Sequence, residues 1–352
     1  MKVQADHPII DGDGHVVEVD ADVRAYLPER YRRIPDNREY PLFPMEPWSF
    51  GVGDRHKQDV PTAEEWLSFL DEAGIAATVL YPSNGLTHGL IRHPQVAIDV
   101  ARAYNDWLYD RFTRRSPRLI GVALLPIQDV NAAAEELRRC VRDLGFVAGM
   151  VPSVMSPLQG LGQRQFDPLY ATVRELDTVL AIHGGGIGTL GFAEPLQSYR
   201  EVRSLKHAMG QMLQITSMIS GGVYDRFPDL RVAYLEAGCG WVLYMMDVLD
   251  DQFAKKGAED LKKRPSEYIQ GDNIYFSCEI EERLLPAFID QLGAHKLLWP
   301  SDYPHERPRE AFFGDLPEFF ARSDVSAEAR RLILSENPQR LYRLSLPALA
   351  AR

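Results

Sequence analysis

Three apolar runs in the chain end on residues that bind metals or move protons. Ile9-Ile10-Asp11-Gly12-Asp13-Gly14-His15 passes from two isoleucines into two aspartates and an imidazole. Val179-Leu180-Ala181-Ile182-His183 ends on a second imidazole ahead of three glycines, and Leu297-Leu298-Trp299-Pro300-Ser301-Asp302-Tyr303-Pro304-His305 ends on a carboxylate, a proline and a third imidazole. A strand end is a rigid mount for a side chain, and Pro304 cannot donate to a ladder, so it ends the strand there. Imidazole nitrogens and carboxylate oxygens are the donors that zinc takes about four at a time, and that manganese or iron takes with more water. Asp13, His15, His183 and Asp302 are therefore candidate ligands of one divalent metal ion. Each tip has a plainer reading as well. Ser or Asp before a helical run caps it, Asp11 or Asp13 can simply close a turn, and a lone strand-end histidine is ordinarily a structural group. Three such tips in one chain favour a shared site.

These tips can meet only if the elements bring the same end of each strand together. Apolar runs predict strands over 9–13, 76–81, 119–125, 146–151, 178–182, 230–235, 273–277 and 296–300. Helices are predicted between them: over 61–74, where Thr62 and Glu65 are spaced as a capping box and Gly74 is the stop, and over 94–114, 131–145, 167–176, about 204–221, 283–292 and 327–344. A further helix carries Trp241, Leu243, Met245, Val248 and Leu249, and Pro338 marks a break in the last one. Eight strands alternating with helices predict an α/β fold, a (β/α)8 TIM barrel spanning 1–352 as one domain, in which the C-terminal strand ends share one mouth. The segment 20–60 follows strand one without a sustained period and is rich in Arg, Pro and aromatics, including Arg24, Tyr31, Arg32, Arg38, Tyr40, Trp48, Phe50, Arg55 and His56. Loops this long are usually functional, so it is expected to be a lid or a dimer arm.

The balance of 39 Lys plus Arg against 50 Asp plus Glu gives a net charge of −11, which offers no basic face to nucleic acid or to an anionic membrane. Cys140, Cys239 and Cys278 are far apart, in apolar contexts, and read as reduced core thiols. Residues 1–7 lack an apolar signal-peptide core, and no later run approaches membrane-spanning length, so a cytoplasmic protein with a small-molecule substrate is expected.

The motifs Ile10-Asp11-Gly12-Asp13-Gly14-His15 with Glu18, His183-Gly184-Gly185, the run Gly222 to Val232, Leu235-Glu236-Ala237-Gly238 and Ser301-Asp302-Tyr303-Pro304-His305 resemble the amidohydrolase-related metal-dependent barrels. The nearest branch is the one typified by aminocarboxymuconate semialdehyde decarboxylase, and the resemblance covers nearly the whole chain. It implies a hydrolase-type metal barrel with a mononuclear divalent ion on Asp13, His15, His183 and Asp302, and a homodimer. Asp13 stands where better-known members have His or Glu. Strand four offers no lysine to be carbamylated, which favours one metal over two. Decarboxylases of the branch carry a catalytic histidine at the end of strand six, where this chain has Glu236.

A carboxylate at that point can act as a base but would repel an acidic substrate. The expected function is therefore hydrolysis: a metal, zinc in the first instance, acidifies its bound water, Asp302 or Glu236 takes the proton, and a lactone, amide or C–C carbonyl is attacked. The alternative is nonoxidative decarboxylation of a hydroxyaromatic or muconate-type acid, with Arg55 holding the acid; a metabolite-binding barrel without catalysis stands third. Glu236 has a structural reading too, as acceptor for the turn from Gly238 to Trp241. His207, placed in the first turn of its helix, is expected to be a neutral base under the helix dipole. His305 is expected to orient Asp302 or contact substrate, and Asp11 to be structural if Asp13 ligates. His56, His88, His93 and His295 are expected on the surface or in loops.

Overall fold

Every residue of the eight strands is buried, as strands covered on both faces of a parallel sheet must be. The computed structural model describes residues 5–32, 41–44, 59–185, 196, 198–256, 261–305 and 307–345. The strands are β1 (Ile10–Val16), β2 (Ala77–Pro82), β3 (Leu119–Leu124), β4 (Ala148–Pro152), β5 (Val179–His183), β6 (Val232–Leu235), β7 (Ile274–Ser277) and β8 (Leu297–Leu298). Each pairs in parallel with the next, in sequence order. The segment leaving β8 closes the ring on β1: Gly12 N–H donates to Trp299 O (2.9 Å), Asp302 N–H to Asp13 O (3.1 Å) and His15 N–H to Tyr303 O (2.8 Å). This is the (β/α)8 barrel that the alternation of apolar runs predicts.

The outer helices are α1 (Ala63–Ala73), α2 (Pro94–Arg111), α3 (Val130–Asp143), α4 (Asp167–Glu175), α5 (Tyr199–Ser220), α6 (Gly240–Lys256) and α7 (Leu285–Leu292). Thr62 and Glu65 form the expected capping box on α1, and Gly74 ends it at φ 78°. Pro338 lies in the first turn of the second piece of the last helix, just after an interruption of the α-helical pattern. The helix runs as Ala327–Arg331 and Asn337–Tyr342 joined by a wider π-type turn, Leu332–Glu336, which accommodates the N–H that proline lacks.

β1 has a register shift against β2 between Asp11 and Gly14. Gly14 makes it possible, because a Cβ there would lie 2.4 Å from Thr78 Oγ1 and 2.6 Å from Asp11 Oδ2. A bulge re-aims the residues beyond it, so Asp11 is separated from Asp13 and His15 instead of sharing their face by simple alternation.

The insertion contains two short helices, Asp20–Arg24 and Glu29–Arg32. Tyr26 and Tyr31 pin it to α2 by donating to Asp110 (2.7 Å) and Asp99 (2.9 Å), and Phe43 is buried. Arg38, Tyr40, Trp48, Phe50, Arg55 and His56 lie outside the described residues. Among the described residues, no helix is long and apolar enough to cross a membrane. The three cysteines are free and buried.

Candidate active site

Asp13 and His15 at the end of β1 and His183 at the end of β5 bring donor atoms within 4.8 Å of one another, all three side chains buried. His183 Nε2 lies 3.2 Å from either oxygen of Asp13, and His15 Nε2 lies 3.5 Å from Asp13 Oδ1. The outer nitrogens are committed elsewhere. His15 Nδ1 reaches Pro82 O at 2.8 Å and His183 Nδ1 reaches Gly184 O at 3.0 Å. A carbonyl can only accept, so in both rings Nδ1 carries the proton; Nε2 of each ring faces inward, that of His183 against the Asp13 carboxylate.

Asp302, just beyond β8, is a second carboxylate at the same mouth, though it is not among the three residues whose donor atoms lie within 4.8 Å of one another. Its Oδ1, Asp13 Oδ2 and His15 Nε2 are buried with no hydrogen-bond partner in the protein. Buried polar atoms are nearly always paired, so a group of orphans marks the place of an absent partner. The charge pattern has the same sense. Burial alone would lower the His183 pKa, yet Asp13 and Glu236 beside it raise it well above the ordinary range. The site thus attracts positive charge, and two neutral-capable imidazoles with carboxylates suit a divalent cation.

The backbone at this end is strained. Glu236, next after β6, has φ 58°, and Asp302 has φ 54°. For residues with a Cβ such left-handed geometry costs roughly 1–3 kcal/mol and tends to persist at functional sites. Glu236 Oε2 lies 3.2 Å from His183 Nδ1 and 3.3 Å from His207 Nδ1. Burial would raise the Glu236 carboxyl, but His207 and His183 hold it well below its usual value. The turn that Glu236 was expected to bind is served by Glu282, which accepts from Cys239 N–H (2.9 Å) and Gly240 N–H (2.6 Å).

His207 is not in the first turn of its helix. The capping box of Ser198 and Glu201 starts α5 earlier, and His207 falls two turns in. Its pKa is lowered by burial, opposed by Glu236, so the dipole argument is replaced by desolvation. Gly184 makes room for this imidazole: a Cβ there would sit 2.5 Å from His207 Nδ1.

Asp11 accepts from Ser301 N–H (2.8 Å), Ser301 Oγ (2.8 Å), Thr78 Oγ1 (2.6 Å) and Asp13 N–H (3.2 Å), stitching β1, β2 and the β8 exit together. Glu18 accepts from the backbone N–H groups of Ser83, Asn84 and Gly85 at 3.2, 2.8 and 3.0 Å. That holds the loop after β2, whose Ser83 Oγ is 2.7 Å from His305 Nε2. The His305 ring stacks on His15 with centroids 4.0 Å apart. His88 is not at the surface but fully buried, bonded to Ala97 O at 2.8 Å. Arg55 lies outside the described residues. Glu279, beyond β7, was passed over in the sequence; its carboxyl is pushed up to about 8 by burial and by Glu281, Glu282 and Glu236. The strand-end position was its only signal.

Residues 10–344 match the family model described as amidohydrolase. The chain belongs to that family. Within it, relatives along much of the length place it in the branch of aminocarboxymuconate semialdehyde decarboxylase. The chain is similar to the gamma-resorcylate decarboxylase of Rhodococcus jostii, 26% identical, covering 79% of this chain and 86% of that one. It is similar as well to the 2-amino-3-carboxymuconate-6-semialdehyde decarboxylase of Dictyostelium discoideum, 27% identical over 60% of this chain and 58% of the other. Among solved structures, a dihydroxybenzoic acid decarboxylase from Polaromonas sp. JS666, with bound manganese and the inhibitor 2-nitroresorcinol, shares the fold. It is 22% identical with a TM-score of 0.72, covering 96% of this chain and 97% of that one.

These relatives are decarboxylases, which overturns the expectation of a hydrolase. The physical step that misled was the repulsion assigned to Glu236. In the fold its carboxylate lies against two imidazoles, 3.2 Å from His183 Nδ1 and 3.3 Å from His207 Nδ1, so it does not face a substrate alone. The chain is an enzyme of the amidohydrolase superfamily.

Proposed function

We propose that the chain is a metal-dependent nonoxidative decarboxylase of a hydroxyaromatic carboxylic acid. The observation that carries this is the convergence of Asp13, His15 and His183, with their buried unpaired atoms, in a chain whose relatives bear decarboxylase names. Asp13, His15, His183 and Asp302 are the residues that would hold one divalent ion, manganese or zinc. Such an ion, when bound, supplies positive charge to the carboxylate and neighbouring hydroxyl oxygens of the substrate.

The remaining chemistry belongs to the side chains. Decarboxylation exchanges carbon dioxide for a proton at the ring carbon, so an acid must stand beside that carbon. Asp302 is assigned this role: it lies just beyond β8 with a buried carboxylate oxygen that has no partner among the described residues. As the proton reaches carbon, the C–C bond breaks, carbon dioxide leaves, and solvent returns a proton to Asp302. His207 against ionised Glu236 is an imidazole and carboxylate pair suited to take and return the phenolic proton. His305, held by Ser83, flanks His15 and is assigned to orientation, as are Asp11 and Glu18; Arg55 remains a candidate for the substrate carboxylate. On the same reading the chain is one barrel domain, and the 20–60 insertion covers the mouth or joins a homodimer.

The test is to load the purified protein with manganese or zinc and follow carbon dioxide and phenol from a panel of hydroxybenzoic acids that includes 2,6-dihydroxybenzoate. Equal amounts of gas and phenol are expected. Absence of gas from every acid, with metal bound in stoichiometric amount, overturns the reading.

A further inference from the structure

Neither Gly12 nor Asp13 has a register partner on β2, because both fall inside the shift between Asp11 and Gly14. Their backbone is held by four other hydrogen bonds. Gly12 N–H donates to Trp299 O at 2.9 Å, Asp13 O accepts from Asp302 N–H at 3.1 Å, and Asp13 N–H donates to Asp11 Oδ1 at 3.2 Å. Those three partners lie on β1 itself or on the segment leaving β8. The fourth comes from elsewhere: Gly12 O accepts from Tyr342 Oη at 3.2 Å, and Tyr342 is the final residue of the last helix. That helix is anchored on β8 and the turn before it, where the buried Asn337 Nδ2 donates to Ala294 O and Leu297 O, both at 2.7 Å. Tyr342 therefore carries the helix position across the β8–β1 seam to the peptide that aims Asp13.

A hydroxyl has one hydrogen, and Tyr342 gives its own to Gly12 O. In the 2.9 Å contact between Tyr342 Oη and Tyr81 Oη it is thus Tyr81 that donates. Tyr81 is fully buried on β2, in register with His15. Its ring centroid lies 5.3 Å from that of His183, inclined by 39°, and 6.4 Å from that of His15. We propose that Tyr342 and Tyr81 are positioning residues for the metal site: their hydroxyl chain fixes the Gly12–Asp13 peptide while the Tyr81 ring backs both imidazoles. The inference rests on the reading that Asp13, His15 and His183 hold a metal ion, and not on which reaction follows. Groups behind ligating side chains set their aim, and losing one weakens metal binding by about ten- to a hundredfold.

A second tyrosine pair supplies the comparison. Tyr224 Oη and Tyr234 Oη are also buried and 2.9 Å apart, but Tyr224 sits on the short helix Val223–Arg226 and stacks on Tyr268. The experiment measures the affinity of the full chain for manganese and for zinc by competition with a chelator, together with the electron paramagnetic resonance of bound manganese and the melting curve of the metal-free chain. Tyr342→Phe is expected to bind either ion about ten- to a hundredfold more weakly, with an altered resonance spectrum. Tyr81→Phe keeps its ring behind His183 and leaves Tyr342 able to donate, so its loss should be smaller. Tyr224→Phe should lower the melting point to a similar extent and change neither affinity nor spectrum. Parental affinity and spectrum in Tyr342→Phe, or an equal loss in Tyr224→Phe, overturn the positioning role. A parent chain that binds neither ion overturns the metal reading and this inference together. A loss confined to Tyr342→Phe and Tyr81→Phe upholds the tyrosines even where no hydroxybenzoic acid releases carbon dioxide, a result that sinks the decarboxylase reading alone.

Discussion

The two ends of the barrel use the same residue types to opposite effect. At the floor, Arg174 pairs with Asp229, Arg231 with Asp177 at 2.7 Å, and Arg340 donates to Tyr275 Oη at 3.0 Å and to His295 O at 2.7 Å. These groups line a cavity of about 330 Å³. At the mouth, carboxylates crowd together, and Asp13 Oδ2 and Asp302 Oδ1 are buried without hydrogen-bond partners among the described residues. Charges paired with each other and with carbonyls hold a fold. Charges gathered without partners hold something that is not protein. The C-terminal strand ends of this architecture are the usual seat of chemistry and the N-terminal ends the seat of stability.

The contrast can be broken most sharply at the residues proposed to hold the metal. Asp13→Asn or His183→Ala should lower turnover at least about a thousandfold and bound metal below about a tenth of an equivalent, while the metal-free chain melts no lower than the parent. Elemental analysis and a melting curve check both. Next, Glu236→Gln or His207→Gln should reduce kcat by about a hundredfold with metal content retained, the scale expected for a lost acid or base. Glu18→Gln should cost about tenfold in kcat, because an amide oxygen cannot serve the three N–H groups that fix the Ser83 loop under His305.

The floor should respond in stability alone. Arg231→Met is expected to cost about 1–2 kcal/mol in denaturant unfolding and leave kcat/KM within about twofold. Lys296, which donates to Ile274 O and Gly271 O beneath β7, is pushed down to about 8 by burial. The unfolded chain therefore binds more protons than the folded one between pH 8 and the ordinary lysine range near 10.5, and folding stability should rise with pH across that window. Lys296→Met should flatten the rise, a small effect read from unfolding midpoints at successive pH values.

Much of the scaffold was legible in the chain. The capping box at Thr62, the apolar stripe of α2 and the runs that became strands are local patterns, and local patterns survive into the fold. The imidazoles and carboxylates at three strand ends were legible for the same reason, since each lies directly after an apolar run. What failed was contact-dependent. His88 looked like a loop residue because it follows Pro82-Ser83-Asn84-Gly85 at the end of β2, yet Phe43 and Ala97 close over it. His207 was assigned to a helix start because the capping signal of Ser198 and Glu201 lies within a stretch with no apolar period. Glu279 gave no motif at all.

Amino-acid order alone determined that eight buried strands alternate with helices and that imidazoles and carboxylates stand where strands end, because periodicity and turn chemistry act over a few residues. Only the closed barrel decided that Asp13 faces His183 across 170 positions of chain, that Asp11 is turned into the seam with Ser301, and that Glu236 lies against both His183 and His207. Those outcomes depend on which groups exclude water from one another, and that is set by packing between segments that the sequence keeps apart.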